Sequence, residues 1–292
     1  MRLELSGSLI IPDPLVINFN SNQTFDPNEY INKGYTNFDV ICIGGGGGMG
    51  GGIDTANTGT LIRSYGGAGG GGGIHRILGL LSGLPTACPV VVGAGGALGT
   101  ESSFDAAQTT NGGDGGPSSF NGTMCRASGG GGGKRVTTNS LTTATGADGG
   151  AGGIGNRTTV GGGAAGGVAG TPTSTGPGIP GTSGLDGTWN GIIGSGGGGG
   201  AGGVGKYGSG GTTCNAATNG GRGAYHTNDL SAYAPGDTPN PDPASGSLNV
   251  IPGGAGGAKA SLVNGLPYIY GSSKGIRAAG DPGIVVVRLT AM

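Results

Sequence analysis

The sequence predicts a mostly irregular and β protein with very little α-helix: a bundle of polyglycine II helices anchored by a small β-sheet. Three observations lead there. Glycine supplies 78 of 292 residues, against a usual share of roughly 7 %. Much of it stands in unbroken runs, among them Gly44–Gly48, Gly69–Gly73, Gly129–Gly133 and Gly196–Gly200. Short strand-like segments feed directly into such glycine: Phe38–Ile43 into the run at Gly44, and Pro89–Val92 into Gly93-Ala94-Gly95-Gly96. A third apolar strand, Gly283-Ile-Val-Val-Val-Arg-Leu289, lies near the end.

Each alternative use of glycine meets an objection. Collagen needs glycine at every third position throughout, and the runs break that register. A disordered matrix or linker usually carries high net charge and few β-branched residues. Here Lys and Arg number 14, Asp and Glu 15, and strands flank the runs. A polyproline-II-type helix has three residues per turn and no internal hydrogen bonds. Built from glycine, it can approach its neighbours closely enough to bond them through outward N–H and C=O groups. Ordering each residue costs roughly 1–2 kcal/mol of backbone entropy, most of all for glycine. Bonds between segments and an apolar clamp must therefore supply the stability. A side chain placed inside a run, as in Gly131→Val, is expected to clash with a neighbouring segment. Gly46, Gly71, Gly131 and Gly198 are taken as scaffold positions, with Trp189 sealing the bundle against the sheet.

Along the chain, residues 1–37 read as an attachment or oligomerisation segment and 38–292 as one glycine-rich body. Leu3–Ile11 and Leu15–Phe19 are strand-like stretches separated by Pro12-Asp13-Pro14. Phe25–Tyr30 reads as a short helical turn with Asp26 as cap and Pro27 at the first position. Ile74–Leu81 is a further strand candidate. The stretches 171–188 and 234–246 are rich in turn residues and read as exposed loops.

Composition also excludes function classes. A formal charge of −1 gives no basic footprint for nucleic acid and no polybasic membrane patch. No stretch approaches the ~20 apolar residues of a membrane-spanning helix. The N-terminal residues lack a signal-peptide pattern, so synthesis in the cytoplasm is expected. Cys42, Cys88, Cys125 and Cys214 have no C-x-x-C spacing, and with His75 and His226 they form no zinc-ligand pattern; buried thiols are expected. Gly200–Lys206 has the spacing of a phosphate loop, but Tyr207 replaces the Ser or Thr that would hold magnesium. No nucleophile elbow occurs. The expectation is therefore no enzyme, no cofactor and no metal. Aromatic and polar side chains on loops are the candidates for contact with another surface: Tyr207, Tyr225, His226, Tyr233, Asp237, Asn240 and Asp242.

Several blocks resemble a known family when taken in order. Gly34-Tyr-Thr-Asn-Phe-Asp-Val-Ile-Cys-Ile-Gly-Gly45 is similar to the opening of the glycine-rich domain in minor tail proteins of actinobacterial phages, mycobacteriophages especially. So are Val90-Val-Val-Gly-Ala-Gly-Gly96, Gly115-Gly-Pro-Ser-Ser-Phe120, Ala127–Gly133 and Gly283–Leu289, the whole spanning roughly 34–290. More distantly the chain looks like the glycine-helix tail-fibre tip adhesins of T-even phages. The resemblance implies a non-enzymatic virion component at the tail tip or tail fibre that helps recognise the host surface. Its partners would be other tail-tip proteins and a host envelope glycan or protein. A homotrimer is expected by analogy with fibre proteins. The alternatives are a purely structural tail-tip or baseplate subunit without receptor contact, and a disordered glycine-rich matrix protein.

Overall fold

The computed structural model describes residues 11–57, 60–64, 66–102, 108–137, single positions and short stretches between 148 and 196, and 204–207, 260–263, 266–269 and 279–291. In chain order the elements are β1 (Leu15–Phe19), β2 (Gln23–Phe25), α1 (Pro27–Ile31), β3 (Asn37–Ile43), β4 (Ile53–Asn57), β5 (Thr60–Ser64), β6 (Ile74–Leu80), β7 (Cys88–Val91), β8 (Ser118–Phe120) and β9 (Cys125–Ala127). They are followed by β10 (Ile193–Gly194), β11 (Val204–Tyr207), β12 (Ala260–Val263), β13 (Leu266–Ile269) and β14 (Ile284–Thr290). The expected class holds: strands and irregular chain, with very little helix. The one α-helix among the described residues forms where the sequence places it. Asp26 accepts the Asn28 N–H at 2.9 Å, and Pro27 opens the first turn, where a missing N–H costs nothing.

Two antiparallel sheets pack face to face. One has the order β1-β14-β3-β6-β10, the other β2-β7-β8-β9. Alternation along the first sheet decides which side chains meet the second. Phe38, Val40 and Cys42 of β3 and Val285, Val287 and Leu289 of β14 point inward. There they join Phe25, Cys88, Val90, Phe120 and Cys125 of the second sheet in one buried cluster. Phe120 sits at its centre, its ring 5.6 Å from Phe25 and 6.5 Å from Phe38. On the opposite face Ile41, Ile43, Ile74, Ile284 and Val286 form a smaller buried cluster. β3 and β14 are thus apolar on both faces at one end, which is why they read as continuous apolar runs.

The sequence predicts a single small sheet; the structure builds two that pack together. The second escapes a reading by periodicity because β8 and β9 are three residues each and partly polar. Their turn carries the missed signal, Asn121-Gly122, with φ of 48° and 67°. The pair opens the four-residue loop 121–124 between Phe120 and Cys125, and Asn and Gly are the residues that most readily take positive φ. Residues 15–25, within the segment read as an attachment region, pair with the body: β1 with β14 and β2 with β7.

Beyond the sheets, six strands adjoin six glycine-rich segments. β3, β7 and β9 lead into 44–52, 93–100 and 128–136, while 66–73, 110–116 and 279–283 lead into β6, β8 and β14. The segment 44–52 is the hub, and every residue in it is buried. Its bonds repeat every three residues. Gly44, Gly47 and Gly50 donate to Gly73, Gly70 and Gly67; Gly45, Gly48 and Gly51 donate to Gly116, Gly113 and Thr110, all at 2.8–3.0 Å. Gly46 donates to Asp281. The hub carbonyls accept with the same period. Those of Gly46 and Met49 accept from Gly96 and Gly99, and those of Gly45, Gly48 and Gly51 accept from Gly130, Gly133 and Val136. The hub therefore touches five described neighbours. Those five also bond one another in turn around it, 66–73 to 128–136, 128–136 to 110–116, 110–116 to 93–100, and 93–100 to 279–283. This is close packing of segments about a common centre, not a pleated ladder, whose period is two.

Candidate functional site

The arrangement with a capacity of its own is this glycine array and the side chains that finish it. Burial in the outer segments also has a period of three: Gly93, Gly96 and Gly99 are buried while Ala94, Ala97 and Leu98 are partly or fully exposed. Glycine is required on the inward line; off it, side chains are admitted at Ala94, Ala97 and Leu98, but not at Gly95, where a Cβ would overlap the Gly280 carbonyl. The reason is distance. A Cβ on Gly45, Gly47, Gly48, Gly50 or Gly51 would overlap a backbone carbonyl of the adjoining segment.

Gly46, Gly71 and Gly131 lie in the array, but they are not equivalent. Gly71 is buried, and its carbonyl accepts from Gly153 at 2.7 Å. Gly46 shares its face of the hub with Met49, three residues on, whose side chain is buried; this is the side on which the hub already carries a side chain. Gly131 is the least obstructed residue of its run. A Cβ there would come within 3.3 Å of the Ala151 carbonyl oxygen, whereas at Gly130 and Gly132 it would overlap backbone. A Cβ is therefore tight at Gly131 and overlapping at its two neighbours, because Gly131 faces away from the hub in the three-residue turn. Gly198 and Trp189 lie outside the described residues. Tyr207 is the last residue of β11 and pairs with Leu61 of β5. Tyr225, His226, Tyr233, Asp237, Asn240 and Asp242 fall outside the described residues, so the structure neither gathers nor separates them.

Reasoning from sequence missed the polar side chains that replace a missing segment. Ser118 Oγ, fully buried, accepts the Gly93 N–H at 2.9 Å. Asp114 Oδ1 accepts from Gly132 at 2.7 Å, Asn111 Oδ1 from Arg135 at 2.9 Å, and Asn22 Oδ1 from Val92 at 2.8 Å. Ser128 Oγ donates to the Ile154 carbonyl at 3.0 Å and accepts the Ile154 N–H at 2.9 Å. Short oxygen-bearing residues at the ends of glycine segments were the available signal, since a buried N–H without an acceptor is costly. Ser118→Ala should remove the acceptor of the Gly93 N–H and cost about 1–3 kcal/mol. A shift of the urea midpoint with unchanged slope is the measurement that checks it.

The other distinctive surface is the outward face of the first sheet, away from the array. Asn37, Asp39, Leu78, Leu80 and Arg288 line a shallow depression of about 560 Å³, and Leu78 and Leu80 are 64 % and 52 % exposed. Arg76 Nε donates to Asp39 Oδ1 at 2.8 Å, and its terminal nitrogen donates to Oδ2. That paired hydrogen bond, assisted by the Asp39 charge and opposed by partial burial, raises the Arg76 pKa above its ordinary value. The thiols of Cys42, Cys88 and Cys125 are buried, as expected; Cys214 lies outside the described residues. Among the described residues no group of three or more His, Cys, Asp or Glu could hold a metal ion. No helix among them is long and apolar enough to cross a membrane.

A search of curated proteins finds no match to the chain. A family model described as a glycine-rich domain matches residues 20–290, which takes in both packed sheets except β1 and every segment of the array. The chain belongs to the glycine-rich domain family.

Proposed function

We propose that the protein is a non-enzymatic component of a phage tail tip or tail fibre, in which the glycine segments are polyglycine II helices forming a rigid scaffold. The observation that carries this reading is the hub 44–52, held by hydrogen bonds from five neighbours at a period of three. Three is the repeat of a polyproline-II turn, and neither a strand nor an α-helix has it. Such a scaffold draws little on side chains, so loops between segments vary without unfolding it. In this reading residues 171–188 and 234–246 face the host envelope, and Tyr207, Tyr225, His226, Tyr233, Asp237, Asn240 and Asp242 supply contacts to a glycan or protein. The resemblance of the blocks between 34 and 290 to minor tail proteins of actinobacterial phages supports the location. Residues 1–37 would attach the chain to other tail-tip proteins or to sister subunits in a homotrimer.

Two measurements test the proposal at different levels. Amide hydrogen exchange should be slow across 44–52 and 128–136, in line with the most stable part of the molecule. Uniformly fast exchange there would remove the rigid scaffold. Gold-labelled antibody against the purified chain should mark one end of the tail on particles from the same genome. The same antibody should also block adsorption. Labelling without blocking would favour the purely structural subunit, and particles without label would remove the tail assignment altogether.

A further inference from the structure

We infer that Cys42 and Cys125 form a modification site: the two thiols close into a disulfide joining the packed sheets when a small-molecule disulfide serves as oxidant. Cys42 lies on the inward face of β3 and Cys125 opens β9 in the facing sheet. Both are fully buried. Cys42 Sγ donates to the Cys125 carbonyl at 3.5 Å, and Cys125 Sγ donates to the His75 carbonyl at 3.2 Å and lies 4.0 Å from that of Val40. A disulfide needs its two Cα atoms within about 7 Å and its Cβ vectors converging. Cys42 Sγ reaches the Cys125 backbone, and Cys125 Sγ approaches the carbonyl of Val40, two residues before Cys42, so the two side chains converge across the sheets.

The environment suits a covalent link better than the other uses of paired cysteines. His75 Nδ1 accepts the Arg126 N–H at 3.0 Å, which occupies that nitrogen, and no described third ligand completes a metal site. Burial holds the Cys42 pKa well above the usual thiol range. Cys125, deprotonated while the sheets are open, is the first to attack; attack by Cys42 leads to the same product. Cys125 displaces one thiolate from the oxidant and forms a mixed disulfide. Cys42 then gives up its proton and attacks the Cys125 sulfur, expelling the second thiolate. Two electrons pass to the oxidant, which leaves as two thiols.

The gain lies in what the link encloses. The cysteines are 83 residues apart. The chain between them holds the hub 44–52 and three of its five neighbours, 66–73, 93–100 and 110–116. Glycine makes the unfolded form of that loop unusually free, so closing it removes much entropy from the unfolded state. Burial means that the oxidant reaches the pair only before the sheets close or during opening, and that the finished link is sheltered from reductants.

The test uses the full chain and oxidised glutathione. Reduced, denatured protein is refolded in a glutathione redox buffer, and folded protein is separately held in oxidised glutathione at about 37 °C. Both are then denatured, alkylated and mapped without reduction. The expected result is a peptide pair joining Cys42 to Cys125, a chain lighter by two hydrogens, and alkylated Cys88 as internal control. The oxidised form should melt several degrees above the reduced form, and that difference should vanish in Cys42→Ala and in Cys125→Ala. Full alkylation of both cysteines under both regimes, or pairing of either with Cys88 or Cys214, overturns the proposal.

Discussion

Gly48→Ala is expected to unfold the glycine array. Gly48 stands in the middle of the hub, donating to Gly113 and accepting from Gly133, each at 2.9 Å. Its backbone lies outside the left-handed region, so alanine meets no torsional bar. The bar is space: the added Cβ would overlap the Ala97 carbonyl and lie 2.7 Å from the Gly96 carbonyl oxygen. Both obstacles are backbone of a segment that is itself bonded to the hub and to 279–283, so neither can turn aside as a side chain would. The cost should reach about 4 kcal/mol or more, the range of the most damaging substitutions. Gly83→Ala is the control. Nothing lies within 4 Å of a Cβ there, and its effect should fall within about 0.5 kcal/mol of zero. Gly131→Ala belongs between the two, at about 1 kcal/mol, because its tightest contact is 3.3 Å. Chemical denaturation of the three variants gives the ranking. A Gly48→Ala protein as stable as Gly83→Ala would refute the close-packed array.

Phe120→Ala should be the most damaging change in the apolar clamp. The ring is fully buried between the sheets and packs on Phe25 and Phe38. Aromatic side chains are few, 5 % of the chain, so little material is at hand to refill the space. The expected loss is about 3–5 kcal/mol. It should appear as a lower urea midpoint together with faster hydrogen exchange in 110–116, the segment that runs into β8. Loss of the clamp without faster exchange in the array would show that the two parts are stable independently.

The sequence carries the outline of this molecule because its two main signals are local. Apolar runs such as Phe38–Ile43 and Ile284–Leu289 become strands through their own side chains. Asp26-Pro27 caps and starts the helix within three residues. Glycine runs announce close backbone approach before any neighbour is known. What stayed hidden depends on partners distant in the chain. The second sheet rests on strands too short to show a period, and its Asn-Gly turn becomes informative only once Phe120 is seen against Phe25. The seven candidates for surface contact rest on side-chain chemistry alone, and of them only Tyr207 has a described position, on an edge strand.

Glycine content by itself determined that segments pack backbone to backbone, since without Cβ atoms there is nothing else for them to pack with. Which glycine faces a neighbour was decided by the tertiary structure alone. A three-residue turn gives each segment distinct faces, and the strands that adjoin it set its rotation. β3 and β9 therefore turn Gly48 and Gly130 toward adjoining backbone, while Met49 and Gly131 are left on sides with more room.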